Sequence, residues 1–152
     1  MLDGKPTIVL SYSTAFQNAV AIPVGAQLEQ HGFRTVLVGE EPLPPDCESN
    51  PNAKVEWFFI HSDMAVFLAT PDDRLESGEV HTRSNIIDEH RLGQSLPHLH
   101  HRVLVFKASE VKLPSNINPA YEQLPLDDPD WIVGKDHYPS PPVGPAPSVR
   151  RC

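Results

Sequence analysis

Cysteine is nearly absent from this 152-residue chain: Cys47 lies in a proline-rich stretch and Cys152 is the last residue. Two cysteines so placed make neither a disulfide framework nor a zinc site, and a reducing, cytoplasmic setting is expected. Long apolar runs are missing as well, so no membrane span is expected. Met1-Leu2-Asp3-Gly4-Lys5 lacks the apolar core of a signal peptide. Positive charge is scarce: 12 Lys and Arg stand against 20 Asp and Glu, a formal charge of −8. An acidic surface repels a phosphate backbone, which argues against nucleic acid as a partner. It leaves room for a small anionic ligand held by local loops. No G-x-G-x-x-G occurs, so a hydride-transferring dinucleotide enzyme is disfavoured. No internal repeat is present.

Proline, by contrast, is abundant at 17 residues, and its distribution divides the chain. Pro139, Pro141, Pro142, Pro145 and Pro147 crowd into a segment poor in large apolar side chains. Residues 134–152 therefore read as a tail or linker, and residues 1–133 as one domain of ordinary size. Within that domain, Thr7-Ile8-Val9-Leu10 and Met64 to Thr70 are continuous apolar runs, as in strands buried on both faces. Phe33 to Val38 and Arg102 to Phe106 predict two further strands, and Glu122 to Leu126 a short edge strand. Helical spacing covers Phe16 to His31, where Pro23 either kinks the helix or marks its start. Helices are also expected over Ala53 to Ser62 and Arg83 to Leu96, the last with Thr82, Ser84 or Asn85 as its cap. Gly39 to Asn52 and Thr70 to Thr82 are expected to be loops.

Strands alternating with helices imply a parallel α/β sheet, whose ligands sit beyond the carboxyl ends of the strands. Several polar residues fall there. On a helix, Asn85, Glu89, Leu92 and Leu96 line one stripe, touching Ile86 and Gly93, which is expected to face the sheet. A carboxylate on that stripe is costly to bury unless it is partnered or stands in a wet cleft. Glu89 is either such a cleft residue, or a Glu ion-paired to Arg83 or exposed at the margin of the stripe. Arg83 and Asn85 at a helix start suit a phosphate, or serve as a solvated charge and a cap. Ser11, Tyr12 and Ser13 offer hydroxyls to a ribose or pyrophosphate, or form an ordinary turn. Phe16 either stacks on a base or opens a helix. Asp72 and Asp73 are an acid pair able to bind metal or move protons, with at least one a turn residue. His90, His98, His100 and His101 have no recognised metal-ligand spacing, and no metal is expected.

Four segments in order resemble the bacterial TIR-like nucleotide-binding domains that act as effectors in antiphage defence. They are Ile8 to Ser13; the first helix with His31-Gly32-Phe33 and its strand; Asp63 to Asp73; and Arg83-Ser84-Asn85-Ile86-Ile87-Asp88-Glu89, which fits the family's R-x-N-[VI]-[VI]-x-E pattern. Leu113-Pro114-Ser115-Asn116-Ile117 fits a later loop, and the likeness spans about Pro6 to Leu126. The resemblance implies a flavodoxin-like sheet of about five strands with helices on both faces. It also implies hydrolysis of NAD⁺ to nicotinamide and ADP-ribose or a cyclic isomer, with Glu89 catalytic. Ser11, Tyr12, Ser13, Phe16, Asp73, Arg83 and Asn85 are then the expected substrate contacts. NAD⁺ is the substrate, and no separate cofactor is implied. Self-association through TIR contacts and a fused or partner sensor domain are further expectations. The chain departs from the pattern in two places: His90-Arg91-Leu92-Gly93 follows the Glu, and Asn85 stands where many TIR enzymes carry Ser or Cys. A non-catalytic TIR scaffold and an enzyme like the nucleoside deoxyribosyltransferases are the competing expectations.

Overall fold

A computed structural model describes residues 4–114, 117, 122–124 and 126. The proline-rich segment 134–152, the boundary at 133, and Ser115 and Asn116 lie outside these residues. Five strands form one parallel sheet in the order β2-β1-β3-β6-β7: β1 (Thr7–Ser11), β2 (Arg34–Leu37), β3 (Met64–Ala69), β6 (Val103–Lys107) and β7 (Glu122–Gln123). Between them run α1 (Ile22–Gln30), α2 (Pro51–Ile60) and α3 (Ser84–Ser95). The architecture is the expected α/β, flavodoxin-like one, with helices on both faces of the sheet.

Alternation along the strands assigns those faces. Ile8, Leu10, Val66 and Leu68 pack with Val20, Val24 and Leu28 of the α1 side. Val9, Ala65 and Phe67 pack with Phe58 and Phe59 of α2 and Ile86 of α3. Because both faces are covered, β1 is buried along its whole length and β3 from its second residue onward. The chain leaves β1 toward β2 on one side and returns to β3 on the other. The carboxyl ends of β1 and β3 are thus the point where the winding reverses, the usual crevice of such sheets.

Two expectations need correction, and the alternatives left open for Pro23 are resolved. Pro23 marks the start of the first helix, which is not continuous from Phe16. A short 3-10 turn (Thr14–Phe16) and a π turn (Gln17–Ala21) precede α1, and Pro23 lies in its first turn. Proline has no N–H and its ring crowds the carbonyl four residues back, and the Ile22 N–H instead reaches the Gln17 carbonyl.

Thr70 to Thr82 is not a plain loop. It holds a small antiparallel hairpin, β4 (Asp73–Arg74) with β5 (Val80–His81), turned by Gly78 at φ +91°. That backbone conformation strains any side-chain-bearing residue.

The inward stripe of α3 is Ile86, His90 and Gly93, and Asn85 is exposed. The helix is rotated from the expected face because Gly93 lets it close on the sheet. A Cβ there would lie 3.3 Å from the Phe67 ring. His90 takes the adjoining place, its ring edge-on to Phe67 at 5.2 Å. Glu89 is left at the margin of this stripe, half-buried. Among the described residues, no helix is long and apolar enough to cross a membrane.

Candidate functional site

Three elements bring Glu89 to the carboxyl end of the sheet. Ser11 ends β1 on the same face as Val9, so its hydroxyl points toward α3 rather than α1. There Ser11 Oγ donates to Glu89 Oε1 at 2.7 Å. The start of α3 is fixed by Asp72, one residue ahead of β4. Asp72 Oδ2 accepts from the Arg83 backbone N–H at 2.8 Å and the Thr82 hydroxyl at 3.0 Å, while Oδ1 accepts from the Thr70 hydroxyl at 2.9 Å. The N-cap residue Arg83 has no side-chain cap bond. Asp72 supplies the missing acceptor from outside the helix, and its charge suits the positive end of the dipole.

A cavity of about 500 Å³ opens at this place. Leu10, Tyr12 and Thr14 line it from β1 and the turn after it, and Val38 and Gly39 from the end of β2. Leu43 and Ser49 of the following loop and Lys54 and Val55 of α2 form another wall, and α3 contributes Glu89. The size is that of an ordinary small-ligand site, and the lining is apolar with a few polar groups, as such sites are.

The cavity perturbs its own ionisable groups. Burial pushes the Glu89 carboxyl above its ordinary 4.5, and Asp88 adds to the rise. Bonds from Ser11 and Asn85 pull the other way. Burial likewise raises the Tyr12 phenol above 10.0, aided by Glu40 and, more weakly, Glu89, against a backbone hydrogen bond with Gly39. Tyr12 thus spans the ends of β1 and β2. A Cβ on Gly39 would stand 3.2 Å from its hydroxyl oxygen, a tight contact that the bare glycine backbone avoids.

Of the residues singled out in the sequence, the structure brings Ser11, Tyr12, Asn85 and Glu89 together. Ser13 is buried and does not line the cavity, its hydroxyl without a partner among the described residues. Phe16 packs against the α1-side core. Arg83 and Asp73 are exposed, and neither lines the cavity. Asp72 is a clasp rather than half of an acid pair. His100 hydrogen-bonds the Gln94 carbonyl at 2.9 Å, and no group of three or more potential metal ligands occurs among the described residues.

Two groups escaped the sequence reading. Lys54 looks like an ordinary surface lysine until α2 is seen beside the end of β2. Lys107 looks like the residue after a strand, yet it is the last of β6. Its buried ammonium donates to the carbonyls of Ala108, Ser109 and Val111 at 3.0, 3.2 and 2.7 Å. Compared with protein-family models and with curated protein sequences, the chain matches none.

Proposed function

We propose that this protein is a TIR-like hydrolase of NAD⁺ that breaks the bond between nicotinamide and ribose. The observation that carries the reading is the partly desolvated Glu89 carboxylate, held by Ser11 at 2.7 Å in a cavity at the carboxyl ends of the strands. The reaction needs a group of this kind. As the ribosyl C1′–N bond breaks, its electron pair goes to the pyridinium nitrogen, and nicotinamide leaves neutral without a general acid. The ribose becomes an oxocarbenium ion. A carboxylate fixed beside it, shielded from water, stabilises that charge at no cost of reorganisation. Water then adds to C1′ and loses a proton, giving ADP-ribose; attack by a group of the same molecule gives a cyclic isomer instead. Ser11 and Asn85 favour the ionised form of Glu89 against the effect of burial, Ser11 orients it, and Tyr12 closes the adjacent wall.

The motif order from Ile8 to Glu89 supports the same reading through its resemblance to defence effectors, and with it activation by self-assembly. Leu43 is an apolar residue left 43% exposed at the cavity. The experiment is incubation of the concentrated or crowded full chain with NAD⁺ and chromatography of the products. Nicotinamide and ADP-ribose, or its cyclic isomer, are expected to appear together. Release of free base from deoxynucleosides with NAD⁺ untouched would replace this reading with the transferase one. Silence toward both after enforced assembly would leave a scaffold.

A further inference from the structure

Of the described residues that line the cavity, Glu89 alone is acidic and Lys54 alone is basic. They belong to different helices and form no ion pair with each other. Lys54 forms none with any described residue, although the protein carries a net charge of −8. Its position also runs against helix electrostatics. Lys54 follows Pro51, which opens α2, by three residues, so its charge stands near the positive end of the helix dipole with no acidic residue in the first turn. The end of α2 needs nothing from this side chain. Asn50 Oδ1 already accepts from the Ala53 N–H at 2.8 Å, and the Lys54 N–H bonds the Asn50 carbonyl at 3.1 Å. A half-buried cation, unpaired among the described residues, in a cavity of an acidic protein, where the local helix disfavours it, is placed for an anion that comes with the ligand.

We infer that Lys54, with Ser49 of the same cavity lining, binds the phosphate groups of the substrate, so that the cavity takes a ribosyl pyrophosphate with its sugar at Glu89 and its phosphates at α2. This rests on the hydrolase reading and adds to it the side chain that selects for phosphate: a phosphorylated nucleotide binds through Lys54, and the bare nucleoside is a poor ligand. A lysine suits this task as a mobile point charge that reaches a phosphate without fixed geometry.

The test is calorimetric titration of the full chain with ADP-ribose, comparing wild type, Lys54→Gln and Lys54→Arg, with unfolding curves to show that each variant is folded. Lys54→Gln is expected to weaken binding about tenfold or more, the usual effect of losing a charge-assisted bond. Lys54→Arg is expected to keep most of the affinity. Added salt is expected to weaken the wild type more than Lys54→Gln. Equal affinity of wild type and Lys54→Gln, or no binding of ADP-ribose by wild type, overturns the inference. Nicotinamide release measured alongside separates the two readings. Glu89-dependent release without Lys54-dependent binding sinks this inference alone, and Lys54-dependent binding without release sinks the hydrolase reading alone.

Discussion

The Ser11 hydroxyl donates to the Glu89 carboxylate at 2.7 Å across 78 residues of sequence. One bond thereby ties the end of the first strand to the third helix and acts directly on the ionisation of Glu89. Burial raises its carboxyl and the Ser11 bond opposes that rise. Ser11→Ala removes the opposition. Activity requires the ionised form, so its acid limb is expected above the ordinary carboxylate range in wild type and higher still in Ser11→Ala. Turnover at the optimum is expected to fall about tenfold, the worth of one such hydrogen bond. The pH profile of kcat/KM for both proteins checks this.

The same burial makes Glu89 a cost to the fold. Its native pKa lies above the unfolded value, so its contribution favours the native state below about pH 4.5 and is lost as pH rises through the native pKa. Glu89→Gln keeps an acceptor for Ser11 and removes the charge. At neutral pH it is expected to unfold at a higher urea concentration than wild type while losing activity. A variant less stable than wild type at pH 7 would contradict this account of the site.

Asp72 is expected to be structural, with a functional echo. Asp72→Ala leaves the Arg83 N–H and the Thr70 and Thr82 hydroxyls without their acceptor. The cost is expected to be about 1–3 kcal/mol in equilibrium unfolding. Turnover should fall too, because the start of α3 then no longer fixes Glu89. Asp73→Ala, on the exposed hairpin strand, is expected to change stability by less than about 0.5 kcal/mol.

How much of this could be read from the sequence differs from element to element. β1 and β3 were legible because burial on both faces leaves continuous apolar runs, and the layered α/β arrangement followed from their alternation with helices. Glu89 was singled out by its stripe with Asn85, Leu92 and Leu96 and by the R-x-N-[VI]-[VI]-x-E pattern. The exact turn of that helix was not, because it is set by Gly93 closing on Phe67 across a sheet contact that no local spacing encodes. The β4–β5 hairpin has two residues per strand and one large apolar side chain, Val80, so it leaves no periodic signal. The cap of α3 was sought among residues 82–85, whereas the acceptor comes from Asp72, ten residues earlier than Thr82. Lys54 and Lys107 acquire meaning only from what the fold sets beside them.

His90 should make the fold acid-sensitive. It is 3% exposed, its Nε2 has no hydrogen-bond partner among the described residues, and burial holds its pKa below 6.5. The unfolded chain takes up this proton more readily than the native state. Stability is therefore full above about pH 6.5 and falls as pH drops through the unfolded value toward the native one. Urea midpoints compared at about pH 7.5 and about pH 5.5 are expected to fall less in His90→Leu than in wild type. Equal slopes would show that other groups govern the acid limit.

The central claim is that the Glu89 carboxylate stabilises the ribosyl cation formed from NAD⁺. Its most direct test is the initial rate of nicotinamide release by the assembled protein, wild type against Glu89→Gln, with unfolding curves showing both to be folded. The account predicts a loss of at least about 10²-fold on removing this one charge. Equal rates in the two proteins would contradict it.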